Sequence, residues 1–424
     1  MAAGVKPTLL WIKSGPLHPL DTGGKIRTHG MLRASRRHFQ IHFVALLPAG
    51  TPDQDRDAAT GYSDLQTWIP HPAPPTRGPA LIPSLLRNLL FSRLPLSISR
   101  YASTGMRNAI RRLALPGKGP PPVLLCDFLT PAINVLHRTG PPPIPSLLFQ
   151  HNVESAIWQR LATAESRPLY RDYLALQHRR MRRFEARASR AFDGVITVSP
   201  ADSATFRSEF GLHNVLGDVP TGVDTAHYNP GTRNPDPDRI AFLGSMDWMP
   251  NIDGVVHFVR ESLPLIRARR PRTQLTIIGR NPPESVWKLA GEDRGIEVTG
   301  TVPDVRPFLD RAALLVVPLR AGGGTRIKIF EAAAAGLPVV STAVGAEGLP
   351  LRDGVHLRIA DTATEFAEAV VGLLGDPSGA AKMAAVARQL VEQQFGWDAV
   401  ADVFARRIAE GVAWGAKRSS RAKR

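Results

Sequence analysis

The stretch "AGGGTRIKIFEAAAAGLPVVST", residues 321 to 342, decides the fold. An apolar run, Leu314 to Val317, ends at Pro318 just before it; a glycine loop follows, then a helix-compatible segment from Arg326 to Ala335, then a second apolar run from Pro338 to Ser341. Strand, loop, helix and strand in that order make one crossover unit of a parallel sheet. A glycine loop at a helix N-terminus offers bare backbone N–H groups and the positive end of the helix dipole, which suits phosphate. Lys328 and Glu331 are three apart and share one helix face. That face would meet a phosphate near its start and a hydroxylated group, such as a ribose, one turn on. Arg326 lies in the first turn, and of the two cations Lys328 is the preferred phosphate contact. The loop alone admits a second reading: a flexible turn followed by an amphipathic helix whose Lys328 and Glu331 form a surface pair.

Working outward, the same alternation recurs on both sides. Upstream, the strand candidates are Leu9 to Ile12, Ile41 to Leu47, Val123 to Cys126, Ser146 to Phe149 and Gly194 to Val198. Helical segments run from Ile26 to Arg36 and from Glu154 to Arg190, and the proline-rich stretches Pro70 to Pro79, Pro116 to Pro122 and Pro141 to Pro145 read as loops. Residues 231–239, rich in Pro, Asn and Asp, read as a linker. After it come strand Ile240 to Leu243, helix Asn251 to Arg269, strands Gln274 to Ile278 and Ile296 to Thr299, and helix Val305 to Ala312. The expected class is α/β, with two doubly wound parallel-sheet domains: 1–230, then 240–395, facing a cleft that takes ligand beyond the carboxyl ends of the strands. Trp397, Val400, Val403, Phe404 and Ile408 have helical spacing, so 396–412 is expected to return to the first domain, leaving 413–424 as a basic tail.

Bulk properties bound the function. With 424 residues, 43% hydrophobic and 21% charged, the chain has apolar sequence for two cores, which excludes wholesale disorder and fibrous repeats. Thr8 to Ile12 is too short for a signal peptide's apolar region, and no stretch approaches the ~18 apolar residues of a membrane span, so a cytoplasmic location is expected. Cys126, the one cysteine, follows Val123-Leu124-Leu125 and reads as a buried strand residue. The net charge of +16 is either solvated surface or a call for an anionic partner. Its clusters, Arg179 to Arg190 and the C-terminal Lys417 to Arg424, suit an anionic membrane surface at the inner face of the cell membrane. Nucleic acid is disfavoured, since no aromatic residues are interleaved for stacking.

Together with "HNVES" (151 to 155), "DGVITVSPADS" (193 to 203), "VPTGVDTAHYNP" (219 to 230) and "FLGSMDWMPNIDGV" (242 to 255), the opening stretch resembles the retaining nucleotide-sugar glycosyltransferases of GT-B fold, family 4, in particular bacterial polysaccharide sugar transferases. The likeness runs from Thr8 to about Ile408. It implies two Rossmann-like domains, with a nucleotide diphosphate-sugar as co-substrate held mainly by the second and a saccharide or lipid-linked saccharide acceptor by the first. No cofactor or metal is implied. Glu331 matches the second carboxylate of the family's paired-glutamate signature, the one that holds the ribose; the first falls at Gly323, so backbone N–H groups of Gly323, Gly324 and Thr325 stand in for it. Many relatives also carry two cations after the first strand of the second domain, whereas Gly244 to Pro250 has none; the resemblance leaves Gly244 as a donor-binding residue there, and Arg326 and Lys328 to meet the diphosphate. In the first domain, Gly23 and Gly24 match glycines that touch the diphosphate, and His151 matches a histidine that contacts the donor sugar. Read without the family, the two glycines are equally a plain turn, and His151 a capping residue.

The expected reaction passes a sugar to an acceptor hydroxyl with retained configuration, in envelope or exopolysaccharide biosynthesis. Its rivals are a nucleotide-sugar epimerase, a phosphorylase, and a non-catalytic scaffold or sensing protein of a polysaccharide assembly, the last permitted by the missing first Glu.

Overall fold

Parallel strands need crossover connections, and the alternation of short apolar runs with helical segments supplies them. The computed structural model describes residues 6–20, 22–72, 81–115, 120–136, 144–321 and 326–422. Two units result, one of residues 1–220 with 400–424 and one of residues 221–399.

In the first unit, β1 (Thr8–Lys13), β2 (Gln40–Pro48), β3 (Leu65–His71), β4 (Val123–Asp127), β5 (Ser146–Phe149), β6 (Gly194–Thr197) and β7 (Val215–Asp218) form one parallel sheet in the order β3-β2-β1-β4-β5-β6-β7. Strand order reverses between β1 and β4, the point where open α/β sheets take their ligands. The register places Ile12 beside Cys126 and Asp127 beside Phe149, so the carboxyl ends of β1, β4 and β5 lie side by side. Cys126 is buried in β4, as its neighbours suggest. The helix Trp397–Ala422 packs on this unit, with Phe404 5.5 Å from the ring of Trp11 and 5.4 Å from that of Phe149.

The second sheet is built from β8 (Asp236–Leu243), β9 (Gln274–Ile278), β10 (Ile296–Gly300), β11 (Ala312–Val317), β12 (Val339–Ser341) and β13 (Arg358–Ile359), ordered β10-β9-β8-β11-β12-β13. The order reverses between β8 and β11. Every strand pairing in both sheets is parallel.

The structure differs from the sequence reading where local chemistry is ambiguous. The long helix from Glu154 is two, Glu154–Ala164 and Pro168–Ala191, because Pro168 forces Arg167 into extended backbone and then starts the second. The helix around 251–269 starts at Met249 and is interrupted by a π turn at Phe258–Ser262, where Pro264 withholds a donor. β8 begins at Asp236, inside the stretch read as linker; Pro237 is tolerated because the ladder with β9 starts only at Arg239. The Trp397–Ala422 helix also continues through most of the stretch read as a basic tail.

Candidate functional site

At the carboxyl end of the second sheet, Gly244 follows β8, and its N–H donates to Ile278 O at 2.9 Å. The helix Ile327–Ala334 brings Lys328 to the same place: its Nζ donates to Asn251 Oδ1 at 2.7 Å, while Asn251 Nδ2 donates to Ser245 O at 2.7 Å. The ammonium also lies 4.9 Å from the Phe242 ring centroid. Burial pushes Lys328 down to about 7; Glu331 pulls it upward and Arg326 lowers it further. Gly244 is what leaves room for this arrangement, since a Cβ there would stand 2.7 Å from Lys328 Nζ and 2.8 Å from Asn251 Cγ. Gly244→Ala is therefore expected to dislodge the ammonium. Loss of one charge-assisted contact, about 1.5 kcal/mol, corresponds to roughly tenfold weaker binding of a nucleoside diphosphate by calorimetry.

Glu331, one turn beyond Lys328, is pushed up by burial and accepts a hydrogen bond from the Tyr228 hydroxyl. Burial and the Glu331 charge together raise the phenol. Tyr228 also lines a cavity of about 430 Å³ with Asp304, Arg306 and Asp310. Arg306 is spent there on Asp304, at 2.7 Å.

Arg326 takes a different place from the one its sequence position suggests. It is the residue before the helix, in left-handed backbone with φ 49°, and its buried guanidinium donates to Val344 O at 2.8 Å and stands 3.6 Å from Glu347. Gly323, Gly324 and Thr325 lie outside the described residues. The β8 end, which carries no cation of its own, instead receives one from β9: Arg280 Nε lies 2.8 Å from Asp247 Oδ2 and 3.0 Å from Ser245 Oγ. Asn281, in left-handed backbone at φ 53°, adds a bond to Asp247 at 3.0 Å.

The first unit gathers charge at its own reversal point. Asp127, wholly buried, ends β4. Its Oδ2 accepts from Lys13 Nζ at 2.7 Å, Thr28 Oγ1 at 2.8 Å and Trp11 Nε1 at 3.0 Å, and its Oδ1 lies 2.7 Å from His151 Nε2. Burial alone would raise the carboxyl; Lys13 and His151 outweigh it and hold Asp127 well below the usual carboxylate range. Burial pushes His151 down to about 4 and lowers Lys13. An ionised carboxylate only accepts, so His151 carries its proton on Nε2 and is neutral near pH 7. Its ring stacks on Phe128, centroids 3.7 Å apart, and Lys13 Nζ sits 4.0 Å from the same ring. Phe128 holds this place at φ 72°, a strained backbone for a bulky side chain. Arg27 is buried alongside, pushed down to about 9 by burial, and donates to Val219 O at 2.6 Å.

Gly23 and Gly24 form the first turn of the helix Gly23–Ser35, which Thr22 caps by accepting from Lys25 N at 3.4 Å. A Cβ on Gly24 would come within 3.0 Å of the Phe128 ring. Among the residues expected at the site, the structure thus groups Gly244, Lys328 and Glu331 in one unit, and His151, Gly23 and Gly24 in the other. Lys13, Asp127, Phe128, Asn251, Arg280 and Tyr228 were not singled out from the sequence. Lys13 and Asp127 had a readable signal, each being a charged residue that closes an otherwise apolar strand, TLLWIK and VLLCD.

Comparison with known proteins bears on the fold and on the second unit's family. The chain is 28% identical over 226 residues to a GDP-mannose-dependent monoacylated alpha-(1-6)-phosphatidylinositol monomannoside mannosyltransferase of Corynebacterium glutamicum, covering 49% of this chain and 59% of that protein. The match to a Mycobacterium tuberculosis glycogen synthase, 29% identical over 229 residues, covers 50% of this chain and 53% of that protein, so the chain spans less than two thirds of the length of these curated relatives. Among solved structures, sucrose-phosphate synthase of Thermosynechococcus elongatus superposes with a TM-score of 0.67 at 18% identity, covering 96% of this chain and 99% of that one. Anabaena HepE in complex with UDP and glucose superposes at 0.63 and 14%, covering 95% and 99%. At these identities the likeness establishes the fold, that of the GT-B glycosyltransferases. Residues 237–376, which hold Gly244, Asn251, Arg280, Lys328 and Glu331, match the family described as Glycosyl transferases group 1.

Proposed function

We propose that this chain is a retaining glycosyltransferase that moves a sugar from a nucleotide diphosphate-sugar to an acceptor hydroxyl, in the making of envelope or exopolysaccharide. The observation that carries the reading is the part-buried ammonium of Lys328 at the end of β8, one helix turn from the carboxylate of Glu331. The bond to break joins the anomeric carbon to a diphosphate. Its transition state puts negative charge on the leaving group, so a preformed cation in a partly dry site is worth more there than in water. Lys328 supplies that cation and Glu331 accepts from the ribose hydroxyls. Arg326, whose guanidinium is given to Val344, shapes the start of the helix and lends positive charge at longer range. His151, Gly23 and Gly24 are donor contacts in this reading, with Asp127 fixing the ring of His151. The donor enters as co-substrate, and no further cofactor is invoked.

The test is thermal stabilisation by UDP, GDP, ADP and TDP and their common sugars, with Glu331→Ala and Lys328→Met in parallel. One nucleotide should raise the melting temperature of the parent and leave both variants unmoved; saturation at ~100 times Kd adds about 2.7 kcal/mol. No shift with any of them would end the donor-site reading and favour a non-catalytic scaffold.

A further inference from the structure

The helix Leu81–Phe91 of the first unit is apolar on its outer face as well as its inner one. A surface helix ordinarily buries its apolar stripe and shows its polar side to water. Here Asn88, 4% exposed, faces inward with the half-buried Leu81, Ser84 and Leu85, while Ile82, Leu86, Leu90 and Phe91 are 55%, 53%, 72% and 82% exposed. Ile82, Leu86 and Leu90 are four apart and form one stripe, and Asn88 lies about 200° round the helix from Leu86 and Leu90.

Specific bonds fix that orientation. Asn88 Nδ2 donates to Leu94 O at 3.0 Å and to Ser99 Oγ at 3.1 Å, and its Oδ1 accepts from Arg180 Nη1 at 3.0 Å and Gln177 Nε2 at 3.3 Å. Arg180 also donates to the backbone carbonyls of Asn88 at 3.1 Å and Leu89 at 3.2 Å, serving the helix's C-terminal end. Rolling the helix to hide its leucines would break this set, so the apolar face is held outward.

We propose that this outward face is a docking surface for an anionic lipid bilayer. Arg87, one residue round from the stripe, and Arg93, just past the helix end, are both exposed, where their guanidinium groups can meet lipid phosphates as the leucines and Phe91 enter the headgroup boundary. The chain's charge of +16 supplies the longer-range attraction to an anionic leaflet. A second protein copy fits less well. A helix of 11 residues is about 17 Å long, and one face of it is far short of the ~800 Å² per partner that a stable interface buries.

Flotation of the full chain with phosphatidylglycerol-containing and pure phosphatidylcholine vesicles tests this. The parent should float with the anionic vesicles and not with the neutral ones. Leu90→Ser/Phe91→Ser, which leaves the charge unchanged, should cut the bound fraction at least tenfold with the circular-dichroism melt unaltered, and removal of residues 417–424 should leave most of the binding in place. Parent-like binding by the double variant, or binding lost only with 417–424, would overturn the proposal. So would a parent dimer, seen by light scattering, that the double variant converts to monomer while neither protein binds vesicles.

Discussion

Lys328→Met should lower kcat/KM by about 10²–10³ for the nucleotide-sugar that stabilises the parent protein, the usual cost of removing one preorganised donor from a developing anion. The side chain is poised rather than permanently charged. Burial brings its pKa to about 7, so near neutrality roughly half the free molecules carry the ammonium. A diphosphate binds the charged form, and binding takes up a proton whenever the free lysine is neutral. Affinity for the nucleoside diphosphate should therefore fall as pH rises above about 7, by up to tenfold per unit, and Lys328→Met should be flat over the same range. The stability consequence has the opposite sense. The folded pKa lies below the unfolded value of 10.5, so the unfolded chain binds more protons between the two and the parent gains stability as pH rises from about 7 toward 10.5. Deleting the amine removes that cost, so the variant should melt no lower than the parent at pH 7 while losing activity. A kcat/KM within threefold of the parent, or a loss of activity matched by a lower melting temperature, would remove Lys328 from the proposed chemistry.

The architecture was readable because its signals are local. Apolar runs such as Leu9 to Ile12 and Ser146 to Phe149 lie in the middle of a sheet, covered on both faces, so their composition shows without any partner. β3 was hidden because it is an edge strand: Leu65 is exposed, Pro70 sits where an edge tolerates it, and the alternation is imperfect. β7 has four residues and contains Gly217 at φ 117°. The site divides along the same line. Lys328 and Glu331 are neighbours on one helix turn and could be paired by counting. Arg280 reaches Asp247 only because β9 lies beside β8, and Asp127 meets Lys13 only because β4 lies beside β1. Sheet order is a long-range property that no window of sequence holds. Arg326 illustrates the converse. Its position in the motif was legible, but its left-handed backbone, which turns the side chain toward Val344, was not.

Asp127→Asn tests the other unit, and there the expected effect is on stability. Removing one member of a buried ion pair typically costs about 3–5 kcal/mol, because the partner is left charged in a dry place. For a unit of this size that is a fall of very roughly 6–20 °C in melting temperature. The amide makes matters worse than a simple loss of charge. Asp127 accepts four hydrogen bonds, from Lys13, Thr28, Trp11 and His151, and an Asn must turn its own NH₂ toward one of those donors. The pH dependence separates charge from shape. Without its anion, Lys13 in the folded state should titrate lower still, while in the unfolded chain it stays near 10.5. The unfolded state then binds more protons across the alkaline range, so the variant's deficit should shrink as pH rises from 7 toward 10. On the acid side the parent has its own slope. His151 titrates near 4 when folded and near 6.5 when unfolded, so stability is complete above 6.5 and erodes as pH falls toward 4, and His151→Gln should abolish that slope. Pairing Asp127→Asn with Lys13→Met removes both charges and should restore much of the loss, giving a favourable coupling in a double-mutant cycle. A deficit that is constant from pH 7 to 10 and additive with Lys13→Met would mean that Asp127 serves only to fill space between β1 and β5.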